Sequence, residues 1–455
     1  MAVNTSAQYQ ADVRRQLSKE TLPITVRYLV LRQFAPKKKM EKGAGVTWTA
    51  TRFNRLPLAA APLSEGVPPV GQQLSISQVT GVALQWGDKI TLSDVAVTTT
   101  LHDLIQQSKQ RLGEQIANMR ERNGFQNLMG GTQVNYVNQR GSRALLQAGD
   151  VLDTVTVRRT ATDLSALGAP YYNGQTSPNV ERSINHGVEQ ANKTETRSAE
   201  HYVAITSDFA MQDLSQNATV VNAWSYSDHT KLYINEVGYW AGITFVKSNM
   251  LPRWTGVAAI QGTPGTSGAL ATNANYYVQV TAIDGLNQWG ESLVYQVSNA
   301  ISVTGPNGSI SVTVPSTAGY TYNIYVNAGS SSVSNLAASN TAGVGIPTTG
   351  PQTGMATGIA PGSTVVISGV GQFQVPPAAP ATGVTVYPTF VFGSDSFACT
   401  ELEDVDWNFL TSADKSDPLN QLRVIGWKYF EGWVITNNAF MARIESSVSN
   451  TGAFG

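Results

Sequence analysis

The chain has 455 residues, a formal net charge of −1, one cysteine and four histidines. Its length suggests about three domain-sized units of roughly 150 residues, ample for a sizeable core. The near-neutral balance argues against a protein whose main business is coating nucleic acid, and a lone Cys399 excludes an intrachain disulfide.

Residues 1–42 read as an arm. The start, MAVNTSAQYQADVRRQ, lacks the apolar core of a signal peptide, so the chain is expected to be soluble and to stay where it is made. A short helix is expected over 11–20. TLPITVRYLVLRQFA (21–35) is apolar but too short and too charged for a membrane. Lys37, Lys38, Lys39 and Lys42, with Glu41 among them, read as a solvated turn or as a contact with an acidic neighbour or nucleic acid.

Residues 43–94 carry two strand signals. Val46, Trp48 and Ala50 alternate with Thr47, Thr49 and Thr51, and in the partner VTGVALQWGDKITLSDV, Val82, Leu84 and Trp86 alternate with Ala83 and Gln85. Between them NRLPLAAAPLSEGVPPVGQQ holds Pro57, Pro62, Pro68 and Pro69, which favour an extended, semi-rigid tip. A two-stranded ribbon is marginal alone in water, and no local partner is evident, which points to another subunit.

A long amphipathic helix is expected over 101–129, where Leu101, Leu104, Ile105, Leu112, Ile116 and Met119 share one face. Thr98, Thr99 and Thr100 are available as caps, and Gly124 as a point of fraying or stopping. Gly113 is either a weakness worth about 1 kcal/mol against Ala or a close-packing point. Downstream, 150–166 has the spacing of a shorter helix. HYVAITSDFAMQDL (201–214) reads as a strand and a helix, and EVGYWAGITFVKSN (236–249) as a strand.

Residues 254–394 contain no Lys or Arg, and their only acids are Asp284 and Glu291. Boundaries are expected near 251–255 and 382–387. YYVQVTAIDGLNQWGES (276–292), SISVTVPS (309–316) and YTYNIYVNA (320–328) are short alternating strands, suggesting an all-β sandwich of about 100 residues. Tyr276, Tyr277, Tyr320, Tyr322 and Tyr325 read as core on every second position, or for some as an adhesive outer face. TVYPTFVFGSDSFA (385–398) restores ordinary composition and places Cys399 at a buried strand end. The chain closes with a strand pair, RVIGWKYFEGWVIT turning at Asn437 and Asn438 into FMARIES.

The search for chemistry finds no site. His102, His186, His201 and His229 share no metal-ligand spacing, and no Walker loop, GxSxG elbow or HExxH is present. Gly369 and Gly371 begin a dinucleotide-like pattern that lacks its third glycine and its helix. Glu401, Glu403, Asp404 and Asp406 read as a solvated loop or as ligands of a divalent cation. Sequons at Asn192, Asn217 and Asn307 mean little without secretion. Trp48, Trp86, Trp427 and Trp433 read as core rather than as a base-stacking platform. No catalytic residue, metal or cofactor is expected.

Taken together, the segments resemble a known family. Arm, ribbon with a long loop, long helix and an α+β body ending in strands is the order of tailed-phage major capsid proteins of the Hong Kong ninety-seven type. TVRYLVLRQFA, the stretch from KGAGVTWTATRFNRLP to LQWGDKITLSDV, the helix with GTQVNYV, VYPTFVFGSDSFA and VIGWKYFEGWVITNNAFMARIES resemble its N-four-like podophage branch, over about 20–250 and 385–448. The resemblance implies an α+β fold divided into an N-terminal arm (1–42), extended loop (43–94), peripheral domain with spine helix (95–149), axial domain (150–255) and a return to both (384–455). Residues 256–383 depart from it and resemble an inserted immunoglobulin-like domain. The implied function is a non-enzymatic subunit that self-assembles as hexamers and pentamers into the icosahedral shell of a virion, built in the host bacterial cytoplasm. Implied partners are scaffolding, portal and decoration proteins and packaged double-stranded DNA weakly contacted on the inner face, with no membrane. The covalent Lys–Asn cross-link of some members is not carried over. Two rivals stand beside it: a surface adhesin or carbohydrate-binding protein with an immunoglobulin-like module, which needs a secretion signal, and an enzyme whose site is assembled from dispersed residues.

Overall fold

The computed structural model describes residues 29–43, 45–54, 56–58, 71–100, 103–172, 201–225, 233–270, 274–285, 290–303, 308–328, 356–367, 377–410 and 421–449. Over these the chain is α+β, with most of its regular structure in sheet. The helix expected over 11–20, Pro62, Pro68, Pro69, His102, His186, His229, Asn192, Asn307, Gly369 and Gly371 lie outside the described residues.

The arm enters as an apolar plug. Val30, Leu31, Phe34 and Ala35 are buried around a 3-10 turn, Leu31–Gln33, and β1 (Lys37–Lys39) follows. β2 (Thr47–Phe53) and β3 (Ile76–Val82) form the expected antiparallel ribbon, with Thr47 opposite Val82 and Phe53 opposite Ile76. The second strand signal is two strands rather than one. At buried Ala83 the chain leaves the ribbon, and β4 (Leu84–Ser93) joins another sheet. Alternation with a period of two runs unbroken through 82–86, so the pattern alone does not mark the exit.

Ser93 then accepts from the Ala96 N–H at 3.1 Å and opens α1 (Asp94–Thr99). The threonines therefore do not cap the long helix. Thr98 and Thr99 finish the short one, donating their hydroxyls to the Asp94 and Val95 carbonyls. The long helix, α2 (Leu104–Leu128), is capped by Asp103, which accepts from the Gln106 N–H at 3.0 Å. Its 25 residues make a rod about 37 Å long. Leu112 and Ile116 pack on Ile425, Trp427 and Tyr429, while Phe125 and Leu128 enter the main core with Leu31 and Phe34. Gly124 does not stop the helix. A side chain there would run into Leu31 Cδ2 and lie 3.1 Å from the Trp433 ring, so it is the close-packing point. Gly113 has open space around it.

Next come β5 (Val134–Tyr136) and α3 (Thr154–Ala166), capped by Asp153. β6 (Tyr202–Thr206) leads into α4 (Asp208–Ser215), capped by Ser207, and α5 (Ala218–Ser225). The 236–249 signal is a hairpin rather than a single strand. β7 (Glu236–Trp240) and β8 (Ile243–Lys247) turn at Ala241 (φ 53°) and Gly242 (φ 78°), and a two-residue hairpin loop favours that left-handed pair. β9 (Trp254–Val257) opens the uncharged block. The block holds β10 (Thr263–Leu270), β11 (Ala274–Asp284), β12 (Glu291–Tyr295), β13 (Ile301–Val303), β14 (Gly308–Thr313), β15 (Tyr320–Ala328), β16 (Ala356–Ile359) and β17 (Thr364–Ile367). β18 (Thr385–Phe392), β19 (Phe397–Leu410), β20 (Leu422–Ile435) and β21 (Met441–Ser447) close the chain.

Three sheets organise these strands beside the ribbon. In the first, β1, β19, β20 and β4 are neighbours in that order, and α2 lies across it. The second runs β16-β15-β11-β12-β9-β18-β6-β8-β7, with β13 on β11, β21 on β18 and β5 on β21. The closing hairpin expected at Asn437 and Asn438 is instead a sheet switch. A 3-10 turn, Asn438–Phe440, carries β21 away from β20 to pair with β18 and β5. All of β21 is buried, so its alternation separates two interior faces, not inside from outside.

The third sheet, β10-β14-β17, shares a core with the end of the second: Ile310, Val312 and Ile367 meet Val278, Val280, Tyr322 and Ile324. The two facing sheets are the expected sandwich pattern. Tyr276 and Tyr322 sit in that core, and Tyr325 is buried on the opposite face with its hydroxyl on Glu291. Tyr277 and Tyr320 are half-buried. β12 pairs with β9 and β9 with β18, so the larger sheet continues from the block into the body. The chain enters and leaves side by side, with Thr255 opposite Thr385 and their hydroxyls 3.0 Å apart.

The two helix glycines make opposite predictions. Gly113→Ala should raise stability by about 0.5–1 kcal/mol through helix propensity alone. Gly124→Ala should lower it by about 1–3 kcal/mol, because the added methyl overpacks a rigid junction. Thermal denaturation of the two variants should show melting temperatures displaced in opposite directions.

Candidate assembly interface

Where α2 crosses the β19–β20 hairpin, charges from four elements converge. Arg120 of α2 places Nε 3.0 Å from Glu431 and Nη2 2.8 Å from Asp404, with its guanidinium 4.6 Å from the Tyr429 ring centroid. Arg32 of the arm lies 3.6 Å from Glu431 and 3.8 Å from Glu401. Burial pushes the Glu431 carboxyl up, against the pull of Arg120 and Arg32. The hydrogen bond from Arg120 holds Asp404 at about 2, well below the usual carboxylate range.

This crossing resolves the acidic run. Glu401, Glu403, Asp404 and Asp406 lie on a strand rather than in a loop, and each faces a cation: Arg32, Lys42 at 2.9 Å, Arg120, and Lys428 at 3.3 Å. Among the described residues no cluster of His, Cys, Asp or Glu is set to hold a metal. The basic run is resolved by the same contacts. Lys37, Lys38 and Lys39 pair along Cys399, Thr400 and Glu401, and Lys42 reaches Glu403, so the acidic neighbour belongs to the same chain. Cys399 is fully buried, and burial first, then Glu431, pushes its thiol up. Trp427 and Trp433 are core residues, while Trp48 and Trp86 are half-buried. His201 is buried with Nε2 3.0 Å from the Tyr233 hydroxyl. Asn217 is exposed, and its side chain accepts from the Thr219 N–H.

A second charged centre has no counterpart in the sequence reading. Glu445 on β21, at 0% exposure, receives Arg143 through Nε at 2.7 Å and Nη2 at 2.6 Å, and Arg443 through Nε at 2.9 Å. Arg143 also lies 3.7 Å from the Trp254 ring centroid. Burial raises the Glu445 pKa, but the two guanidiniums outweigh it and the carboxyl stays below its ordinary range. Arg143 and Glu445 stand 302 positions apart, beyond any local pattern. These buried centres tie elements together.

Among the described residues two groups of large apolar side chains are exposed. The paired part of the ribbon is held at both ends: Gly81 lies against Val434 and Thr400 near its root, and Arg52, beside Phe53, donates to the Thr436 carbonyl. Toward its tip, Phe53 is 65% and Leu58 93% exposed, with Leu56, Leu74 and Ile76 also exposed. Phe53 and Ile76 are directly opposite. A second patch lies at the far end of β19 and β20, where Trp407 and Phe409 stack with centroids 6.2 Å apart and Leu410, Leu422 and Val95 are exposed nearby. Lys109 sits 4.5 Å over the Phe409 ring. Side chains of this kind in water are what an assembly surface would bury.

Arg120→Met should cost about 3–5 kcal/mol, because it strips a buried carboxylate of its nearest cation. Lys428→Ala, which breaks an exposed pair, should cost under about 1 kcal/mol. Chemical denaturation of the two variants separates the outcomes.

No protein-family model matches the chain, and neither does any curated protein. Among solved structures it is similar to the capsid of Ralstonia phage GP4, with 10% identity over 99% of each chain and a TM-score of 0.49. It is likewise similar to the capsid of Cyanophage P-SCSP1u, with 11% identity over 95% of this chain and 92% of that one, TM-score 0.49. The Cyanophage Pam1 capsid matches at 12% identity over 97% and 98%, TM-score 0.49.

Proposed function

We propose that this chain is the major capsid protein of a tailed phage, a structural subunit that assembles into the shell around a double-stranded DNA genome. The observation that carries the reading is the ribbon. Among the described residues β2 and β3 form a sheet only with each other and hold Phe53, Leu56, Leu58, Leu74 and Ile76 in water, an arrangement of little stability unless a neighbouring subunit covers it. The segment order and the quoted residue stretches supply the class of assembly, namely hexamers and pentamers of a closed shell, with scaffolding, portal and decoration proteins as further partners. The near-neutral net charge of −1 suits a wall that meets packaged DNA without gripping it.

For the block 256–383 we propose an immunoglobulin-like insert on the outer face of the shell. Its lack of Lys and Arg supports this position, since surfaces set against phosphate usually carry them, and an inner position would take volume from the genome. The adjacent entry and exit strands suit an insertion into a fold that is otherwise closed beneath it.

The purified chain should form hexamers, pentamers or shells in light scattering and electron microscopy. Phe53→Asp with Ile76→Asp should leave the subunit folded, as exposed substitutions usually change stability by less than about 0.5 kcal/mol, and should abolish assembly. A wild-type chain that stays monomeric at high concentration alongside its native assembly partners would overturn the proposal. The position of the insert is read separately. Antibodies raised against it should decorate intact, filled particles, and decoration only after the particles are broken open would place it inside.

A further inference from the structure

Glu121 lies in the middle of α2, is 2% exposed, and faces the root of the arm. Its Oε1 accepts the backbone N–H groups of both Val30 and Leu31 at 2.8 Å. Those groups open the 3-10 turn Leu31–Gln33, which has no side-chain cap of its own. A carboxylate 90 positions away therefore caps the turn and seats the arm on the helix. Both bonds fall on one oxygen, so the other can carry a proton without either bond being lost.

Among the described residues no cation pairs with this carboxylate. The charged groups on the surrounding elements are engaged with one another: Arg32 on the arm with Glu401 and Glu431, and Arg120 on the same helix with Glu431 and Asp404. Arg122, the next residue along the helix, feels Asp284 of the block. From β19 and β20, Cys399 and Tyr429 are also held against Glu431. Burial opposed only by the backbone N–H groups of Val30, Leu31 and Arg32 sets the proton affinity of Glu121.

We propose that Glu121 is a proton-controlled latch, closing the arm root onto α2 when its carboxyl is neutral and loosening it when ionised. The sign follows from burial, which lifts the group to about 7 from an ordinary value of 4.5. An acid whose pKa is raised in the closed state favours closure fully below its ordinary range. That preference is lost progressively as pH rises from there through the raised value. Each pH unit in this window weakens closure by up to about tenfold. The latch is independent of what the ribbon binds, so it can hold or fail whether or not the chain forms shells.

Hydrogen exchange of the full-length protein, read by mass spectrometry on peptides covering 29–36 and corrected for intrinsic rates, tests it. Between pH 5.5 and 8.5, protection of these peptides should fall by about tenfold or more, while peptides from 108–118 of the same helix keep theirs. Glu121→Gln retains an acceptor oxygen without the charge, so it should flatten the profile. Constant wild-type protection of 29–36, or an unchanged pH dependence in the glutamine variant, overturns the latch. Should that variant fail to fold, the wild-type profile against the 108–118 peptides decides alone.

Discussion

The crossing of one long helix over the β19–β20 hairpin is the constraint on which the other elements depend. A glycine at 124 lets Leu31 of the arm and Trp433 of the sheet reach the helix backbone. About one turn away, Arg120 meets Glu431 and Asp404 while Arg32 approaches Glu431 from the arm. Removing one cation would leave a carboxylate short of its partners in a poorly hydrated setting, which is why such clusters tolerate little change. The arm, the helix and the sheet are thus one joint, and the ribbon projects from its edge through Ala83 and Gly81.

The uncharged block is tied to the same joint. Its two acids both have structural employment: Glu291 accepts from Thr281, Asn323 and the Tyr325 hydroxyl, and Asp284 acts on Arg122 of the helix. With β12 paired to β9, the block shares a sheet with the body instead of swinging on a linker. Polar residues Gln279, Thr281 and Asn323 are buried on the face away from the sandwich core, where Gln279 donates to the Pro377 carbonyl.

Charge reads differently at the two levels. In sequence, the lysines near 37–42 and the acids near 401–406 are two separate runs, each consistent with solvent, metal or nucleic acid. In space the runs adjoin, because β1 lies parallel to β19, and Lys42 pairs with Glu403. The acids that suggested an external ligand each meet a cation of the same chain.

Local physics determined a good deal by itself. The period of 3.6 over 104–128 and the alternation of 47–53 and 76–82 are written in neighbouring positions. The jump in composition at 254 falls where β9 begins, yet the larger sheet runs on through β9 and β18 into the body. Only the tertiary structure decided which strand met which: that the signal at 82–93 divides between ribbon and body, that β21 leaves β20 for β18, that 236–249 folds back on itself, and that Gly124 rather than Gly113 is the close-packing point. Strand alternation specifies two faces but not a partner, and a glycine specifies freedom but not what presses on it. Pairings such as Arg143 with Glu445, or Glu121 with the arm, join positions far apart along the chain. Their energies come from desolvation and hydrogen bonding that exist only once the chain has closed.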